Sequence, residues 1–340
     1  MRWKYSRPLL GLICAGLILF PLLNVGNFAR AGNLQTFAIA FVYGALALSY
    51  DLLFGFTGLL SFGHALFFAG GIYITDILIS KEHWSIYPAS IVAITLTGFL
   101  AFLVGAASLR TKAITFAMVT LAFAEAGHVV INRNFGGLTN GENGLALDAT
   151  RLPAILIGVI NTKYLYWLAL ATLMVVYFVV WWVTQSSAGR VFAALRDNEL
   201  RVSVLGLSTY KFKLLSFVIA GTLAAFVGVT ALVVTGSAAP RFASSETTIS
   251  LLLMVVLGGA VSRWGAVIGG ILYSVANTRL QDLSHSSFIT GLPKFISGPL
   301  SEPSFILGVI FILIVLFAPG GISGLYYRLR LRFLSTHQSR

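Results

Sequence analysis

Long uncharged runs of apolar residues recur along most of this chain. Each run predicts a helix that crosses a membrane, because a spanning helix needs about 20 mostly apolar residues. The runs do not alternate apolar and polar residues, so they do not fit the strands of a membrane β-barrel. The pattern predicts ten spans, at 8–25, 31–50, 52–75, 88–109, 113–131, 164–184, 214–236, 247–262, 264–280 and 304–325.

Two parts of this pattern are interrupted. The stretch 247–280 is rich in glycine around Arg263, which fits two tilted spans or one re-entrant hairpin that would leave eight spans. The stretch 52–75 holds five glycines together with Ser61 and His64. It fits a broken helix that lines a pathway, or equally a continuous helix that packs closely through small residues.

Composition excludes a soluble protein. Of the 340 residues, 57% are hydrophobic and 10% charged, and the mean hydropathy is +0.89. Soluble domains are about 45–50% apolar and about 25% charged. The excess of apolar surface needs lipid as its solvent. The sequence therefore predicts an all-α, polytopic bundle of membrane helices, with residues 1–340 forming a single transmembrane domain.

The positive charge predicts the orientation of the chain. The net charge is +12, and basic residues gather at the N-terminus and in the tail 326–340. Lys and Arg concentrate on the cytoplasmic side of membrane proteins. Both termini are therefore predicted to be cytoplasmic, which requires an even number of spans. Threading ten spans in order places the loop 186–212 in the cytoplasm and the loop 132–163 outside.

The first run also has features of a secretory signal peptide, with an Ala-x-Ala pattern at 29–31. Its apolar part is longer than the usual core of a signal peptide. Cleavage would also leave an odd number of spans. Both points favour a first span that stays in the mature protein.

The motifs of most enzymes are absent from the sequence. There is no G-x-x-x-x-G-K-[ST] loop for ATP, no H-E-x-x-H and no G-x-S-x-G. Cys14 is the only cysteine and the five histidines are scattered, so we expect no metal site and no cofactor in this chain. The sequence contains no basic face interleaved with aromatic residues, so we expect no nucleic-acid partner. The sequence favours a conduit and not an enzyme.

The loop 186–212 carries the most informative pattern. Residues 190–205 predict one short helix that ends at Gly206. Its apolar positions are predicted to share one face, and the four residues 196–199 the other. This pattern fits a helix that docks into the groove of a partner protein, or one that lies flat on the bilayer. The predicted apolar face consists of Val191, Ala194, Leu195, Val202 and Leu205.

This loop resembles the coupling-loop signature of ABC importer permeases. The resemblance covers Gly189, Arg190, Ala194, Arg196, Asp197, Asn198, Glu199 and Gly206. Other stretches resemble the branched-chain amino acid permeases of the LivM type (the LivH/LivM family). They lie at 47–64, 116–125, 136–145, 252–269 and 316–324.

The resemblance implies an ATP-driven importer of the bacterial inner membrane. Two related permease chains would form the pathway, two separate ATPase subunits would bind ATP and Mg²⁺, and an extracytoplasmic binding protein would deliver the substrate. The ATPase subunits would dock on the loop 189–206.

The implied substrate is a branched-chain or another small amino acid. Departures from the commoner family pattern near residues 138–144 and 262–265 keep urea or short amides open as cargo. An ion-coupled secondary transporter is a more distant alternative. It would need paired carboxylates near the middle of the membrane, and the sequence offers no convincing pair.

Polar residues within the spans are candidates for the translocation pathway, because an ionisable group that faces lipid costs at least about 2.5–3.5 kcal/mol. The pathway candidates are Gly58, Ser61, Gly63, His64 and Glu125. Glu125 and His128, one helical turn apart, are alternatively partners of each other. In the outer loop, a polar cluster predicts an external gate or a docking surface for the binding protein, or an ordinary turn. This cluster comprises Thr139, Asn140, Gly141 and Asn143.

Overall fold

A computed structural model of the protein describes residues 16–17, 20–21, 31–111, 113–157, 161–284, 302–317 and 320–325. Almost all of its regular structure is helical. The α-helices are α1 (Ala31–Asp51), α2 (His64–Ser80), α3 (Ile86–Ser108), α4 (Ala113–Asn132), α5 (Thr162–Gln185), α6 (Ser187–Asp197), α7 (Glu199–Val204), α8 (Thr209–Thr235), α9 (Ser245–Gly258), α10 (Arg263–Ser284) and α11 (Pro303–Phe317).

The long apolar helices confirm the prediction of a polytopic membrane protein. Five helical stretches of the described residues are long and apolar enough to cross a membrane. They coincide with the predicted spans 31–50, 88–109, 113–131, 164–184 and 214–236. Most of the predicted span 8–25 lies outside the described residues, as do both termini and the basic tail 326–340.

The predicted span 52–75 is a broken helix. After α1, a π-helical turn covers Leu52–Phe56, and the backbone is irregular until α2 begins at His64. Gly58 has a φ of +78°, a left-handed conformation that suits glycine and ends the helix there. Close packing through small residues, the other interpretation, also occurs in this stretch. A Cβ on Gly71 in α2 would collide with the Ala225 carbonyl of α8.

Helix α8 forms the centre of the bundle. It is largely buried, as is α1, whereas most residues of α3, α4 and α5 are only partly buried or exposed. Phe217 of α8 packs edge-on against Phe67 of α2 at 5.5 Å and Phe116 of α4 at 6.0 Å between ring centroids. Such aromatic contacts favour one packing arrangement of the three helices.

Helices α9 and α10 form a tight hairpin that turns at residues 259–262. The backbones of Gly258 and Gly265 touch, so a side chain at either position would separate the two helices. At 14 residues α9 is only about 21 Å long, shorter than the ~30 Å hydrocarbon core. It begins beside the first turn of α2, where Thr248 Oγ1 accepts a hydrogen bond from the Ala65 amide at 3.0 Å.

At the end of the bundle opposite the α9–α10 turn, the chain forms a small β-structure, which the all-α prediction did not include. Strand β1 (Leu145–Ala146) pairs antiparallel with β2 (Ser237–Ala238). Ser80 at the end of α2 lies beside them and donates a hydrogen bond to Asp76 at 2.7 Å, while it accepts one from the Asp148 amide at 3.2 Å. These bonds fix the loop 132–157 to the end of α2.

The contact between α2 and α8 generates a prediction about stability. Gly71→Ala should lower the thermal melting temperature of the purified protein, because the added methyl group forces the two backbones apart. Overpacking of this kind costs about 1–3 kcal/mol. Gly308→Ala in α11 is the matched control, since no atom of the described residues lies within 4 Å of its Cβ position. Equal melting temperatures for both variants would contradict the assigned packing.

Candidate functional site

The segment between α5 and α8 forms two short helices instead of the single helix predicted over 190–205. Helix α6 ends at Asp197 and α7 begins at Glu199, because Asn198 adopts an extended backbone (φ −163°, ψ 105°). The Asn198 side chain accepts a hydrogen bond from the Arg201 amide at 3.0 Å and so caps α7. Gly206, with a φ of +79°, follows the end of α7 as predicted.

The buried face of this segment also differs from the predicted one. Phe192, Leu195 and Val202 are buried against the rest of the chain, and Phe192 was not among the predicted positions. Ala194 and Leu205, which were predicted to share that face, are exposed. Within α6 the buried face carries Gly189, Phe192 and Leu195, so Ala194 points away from it. The break at Asn198 then ends the common 3.6-residue period, so α7 does not continue the face of α6.

The first turn of α6 is held tightly against the end of α5. The Ser186 hydroxyl accepts a hydrogen bond from the Gly189 amide at 3.3 Å and caps α6. Gly189 is buried, and a Cβ there would collide with the carbonyl oxygens of Val183 and Thr184. Arg190 is exposed on the outside of the same turn. Close backbone contact therefore fixes the direction of α6 relative to the end of α5.

Arg196 connects α6 to the break in the predicted span 52–75. Its Nη1 donates a hydrogen bond to the Gly55 carbonyl at 3.3 Å, while Nε and Nη2 contact Asp197 Oδ1 at 3.1 and 3.0 Å. The Arg196 backbone and stem also lie against Gly58, where a Cβ would be 3.0–3.2 Å from them. The guanidinium thus bridges the surface of α6 and the irregular backbone at 55–58.

Asp51 connects the same break to the turn between α9 and α10. This carboxylate is fully buried, and its Oδ1 accepts a hydrogen bond from the Val261 amide at 3.0 Å. Val261 has a φ of +70°, an unfavourable conformation for a β-branched residue. Gly55 is close to this bond, since a Cβ there would lie 2.7 Å from the Val261 nitrogen. Asp51 Oδ2 has no hydrogen-bond partner among the described residues.

Helix α7 presents an apolar surface to solvent. Leu200, Val204 and Leu205 are 77%, 87% and 72% exposed. We call these three residues the α7 patch. On the other side of α7, Glu199 forms an ion pair with Lys213 of α8 at 2.6 Å, which holds the helix against the bundle. A fixed helix with an exposed apolar face is typical of a docking site for a partner.

The predicted pathway residues Ser61, Gly63 and His64 lie at the break and are buried inside this chain. His64 Nε2 lies 2.9 Å from Ser49 Oγ, and the Ser49 hydroxyl donates to the Leu46 carbonyl at 2.7 Å. The His64 Nε2 therefore donates to Ser49. The ring also packs edge-on against Tyr50, at 5.2 Å between centroids. Gly58, the remaining candidate of the break, contacts Arg196 instead.

Hydroxyl groups satisfy the amides at the start of α2. Thr120 of α4 accepts a hydrogen bond from the Phe62 amide at 3.1 Å, and Ser61 accepts one from the Gly63 amide at 3.2 Å. Thr248 accepts a hydrogen bond from the Ala65 amide, so three side chains in total accept hydrogen bonds from amides at the N-terminal end of α2. The sequence pattern missed Thr120 and Thr248, because they are far from residue 62 along the chain.

Glu125 is half-buried on α4 and forms no ion pair within the described residues. His128 does not pair with it, because its Nε2 instead lies 2.9 Å from Asn132 Nδ2. The alternative in which Glu125 and His128 satisfy each other is therefore wrong. The pathway role of Glu125 stays a prediction.

The predicted outer cluster forms a series of tight turns after α4. Asn134 Oδ1 accepts hydrogen bonds from the amides of Thr139 and Asn140, at 3.0 and 2.9 Å. Asn140 in turn donates to the Gly144 carbonyl at 2.9 Å. Gly141 lies in the next turn, with a φ of +58°, and Asn143 is exposed. The turn geometry predicted as an alternative is present, and a gating or docking role stays a prediction.

Beside these turns lies an open cavity of about 330 Å³. Its lining combines the end of α4 with the segment after β2, namely His128, Asn132, Glu142, Ala239, Pro240 and Arg241. The outer loop also carries Asp148, whose pKa is lowered by hydrogen bonds from the Thr150 hydroxyl and amide. This end of the bundle is therefore polar and carries both signs of charge.

The cap at Asn198 generates a second prediction. Asn198→Ala should accelerate amide hydrogen exchange across 199–204, because the loss of an N-cap costs about 0.5–2 kcal/mol of helix stability. Asn198→Asp is the matched control, since its carboxylate keeps the acceptor for the Arg201 amide. If the two variants exchange at equal rates, the side chain of residue 198 does not hold α7 in place.

Comparison with known proteins agrees with this architecture. Residues 33–318 match the family model described as "Branched-chain amino acid transport system / permease component". The chain is similar to the high-affinity branched-chain amino acid transport system permease protein LivM of Escherichia coli K12. The two are 26% identical over 283 residues, which is 76% of this chain and 66% of that protein. The chain thus spans just under two thirds of the length of that relative.

Two further known proteins are matched over more of their own length. The high-affinity branched-chain amino acid transport system permease protein LivH of Salmonella typhimurium is 24% identical over 301 residues, which is 83% of this chain and 91% of that protein. The solved structure of PsaBC from Streptococcus pneumoniae in complex with Fab covers 92% of this chain and 98% of that one, at 14% identity and a TM-score of 0.43. Because the family model matches most of its length, the chain belongs to the family of branched-chain amino acid transport system permease components.

Proposed function

We propose that this chain is the permease subunit of an ATP-binding-cassette importer in the bacterial inner membrane. The observation that carries the proposal is the α7 patch, an exposed apolar surface on a short helix that is anchored through α6 and the Glu199–Lys213 ion pair. Its position in the loop 189–206 is where the family resemblance implies that an ATPase docks. An apolar face on a rigid helix fits a complementary groove on a partner.

The proposal assigns ATP and Mg²⁺ to two partner ATPase subunits. The sequence has no G-x-x-x-x-G-K-[ST] loop that could hold the phosphates. A second, related permease chain would complete the pathway, and the exposed faces of α3, α4 and α5 offer surface for it and for lipid. An extracytoplasmic binding protein would approach the polar end that carries the outer turns and the 330 Å³ cavity.

The proposed topology has ten spans with both termini in the cytoplasm. The position of α9 supports this topology. After α8 the chain passes through β2, and α9 then begins beside the first turn of α2. Residues 236–258 together would therefore cross the membrane as one interrupted span. Helix α10 is 22 residues, or about 33 Å, which is long enough to cross back. This arrangement favours two spans over a re-entrant hairpin at 247–280.

The proposed substrates are branched-chain or other small amino acids, as the printed names of the relatives suggest. Urea or short amides are the second candidate, because the binding protein selects the cargo and is a separate chain. An ion-coupled transporter is less well supported. No group of three or more His, Cys, Asp or Glu residues comes together in the described part of the chain, and Asp51 binds a backbone amide instead of another carboxylate.

The docking proposal predicts that Val204→Glu prevents ATPase binding. Val204 is 87% exposed, so the substitution leaves the permease fold intact while placing a charge in the proposed interface. We expect about 30-fold weaker association, equivalent to about 2 kcal/mol for a central interface residue. The measurements are co-purification of the ATPase subunits and ATP-dependent uptake of leucine and of urea by the reconstituted complex.

Ile155→Glu is the matched control for this experiment. Ile155 is an exposed apolar residue, 56% accessible, in the loop at the opposite end of the bundle. Its variant should retain the ATPase subunits. Full association and uptake in Val204→Glu would refute the docking surface, and leucine uptake without any ATPase subunit would support an ion-coupled transporter. Uptake of urea alone would correct the substrate.

The topology predicts opposite labelling of two introduced cysteines. In a Cys14→Ser background, Glu142→Cys should react with a membrane-impermeant maleimide in intact spheroplasts. Arg201→Cys should react only after the membrane is permeabilised. Both side chains are exposed at opposite ends of the bundle, so accessibility is matched. The reverse pattern would place the α7 patch outside and overturn the proposed function.

A further inference from the structure

The broken span 52–75, helix α6 and the α9–α10 turn meet at the break. Helix α6 reaches it through Arg196, which donates to the Gly55 carbonyl at 3.3 Å. The α9–α10 turn reaches it through the Val261 amide, which donates to Asp51 at 3.0 Å. The two bonds attach four residues apart, one at Asp51 directly before the π-helical turn and one at Gly55 within it. We call Asp51, Gly55, Arg196 and Val261 the junction.

We infer that the junction transmits the movement of the cytoplasmic segment to the membrane helices, and that Arg196 and Asp51 are positioning residues of this linkage. The inference rests on the proposed function, because it requires an ATPase that moves α6 and α7. It differs from docking, which uses the α7 patch on a separate helix. Neither positioning residue is assigned a contact with substrate or ATP.

The direction of the Arg196 side chain supports the distinction between transmission through the junction and docking through the α7 patch. Only 32% of the side chain is accessible, although it lies on a cytoplasmic helix. Its stem packs along Gly58, and one nitrogen reaches a backbone carbonyl at the break. Carbonyls at the end of a helix lack intrahelical partners, so a guanidinium that binds one of them holds the two elements together. Displacement of α6 must therefore break this contact or move residues 55–58.

The packing around Asp51 makes the second connection stiff. The carboxylate is fully buried and Gly55 leaves no room between it and the Val261 backbone. The turn at 259–262 is itself confined by the contact between Gly258 and Gly265. Movement of the break is therefore carried into the α9–α10 hairpin. Such packed contacts change between discrete arrangements and do not deform continuously.

Arg196→Met tests the first connection, because methionine fills a similar volume without a hydrogen-bond donor. The complete complex is reconstituted with its ATPase subunits, sister permease and binding protein. Three quantities are measured: ATPase subunits bound per permease, ATP hydrolysis stimulated by the binding protein, and leucine taken up per ATP. We expect normal assembly, hydrolysis within about twofold of wild type, and about tenfold less uptake per ATP, within the range of single-residue coupling effects.

Lys211→Met is the charge-matched control, since Lys211 is exposed at the start of α8 and away from the junction. It should retain wild-type uptake per ATP. Loss of bound ATPase in Arg196→Met would make Arg196 a docking residue and overturn the inference. An unchanged ratio of uptake to hydrolysis would overturn it as well. Failure of the wild-type complex to couple ATP to uptake would instead refute the proposed function.

Asp51 is tested by a pair of variants. Asp51→Asn keeps an oxygen that accepts from the Val261 amide, whereas Asp51→Ala removes it. We expect Asp51→Asn to preserve uptake per ATP and Asp51→Ala to lower it about as much as Arg196→Met does. If Asp51→Asn fails as severely as Asp51→Ala while the complex assembles, the hydrogen bond to Val261 is not the connection. Since Asp51→Asn is nearly isosteric, it keeps the test informative even where Asp51→Ala does not fold.

Discussion

The structure depends on one constraint, which is that backbone polar groups inside a membrane must find partners within the protein. Continuous helices such as α1 and α8 satisfy this rule by themselves. The irregular segment 57–63 cannot, and side chains from other helices take over the task. Thr120 and Thr248 accept from amides of residues 62 and 65, and Tyr50 donates to the Ser61 carbonyl at 3.1 Å. The break is therefore a specified feature of the fold.

This constraint also shapes what the break can do. Exposed amides at the start of a half-helix attract anionic groups in many transporters. Here the hydroxyls of Ser61, Thr120 and Thr248 already occupy amides at the start of α2. The pathway candidates near His64 are correspondingly buried and hydrogen-bonded within this chain. The same bonds give the broken segment a fixed position against α4 and α9, as a transmission element requires.

The sequence predicted the parts of the fold that depend on local pattern. Five predicted spans coincide with long apolar helices, and the glycines at 55–63 marked a break in which the first helical part ends at Gly58. The pattern failed where tertiary contacts decide. Phe192 is buried because it shares a face of α6 with Gly189 and Leu195. Leu205 is exposed beyond the interruption at Asn198, which a periodicity analysis that assumes one helix cannot detect. Val261 gave no signal, because its role uses only its backbone amide.

Asp51 and Asp76 show how the two ends of the broken span are related. Both residues are buried, and each takes part in a connection to a distant segment of the chain. At one end Asp51 accepts a hydrogen bond from the Val261 amide. At the other end Asp76 accepts one from Ser80, which in turn accepts from the Asp148 amide next to β1. The turn that holds Val261 directly follows α9, and β1 pairs with β2, which precedes α9. Helix α9 therefore lies between two segments that are attached to the ends of the broken span by bonds within a single chain.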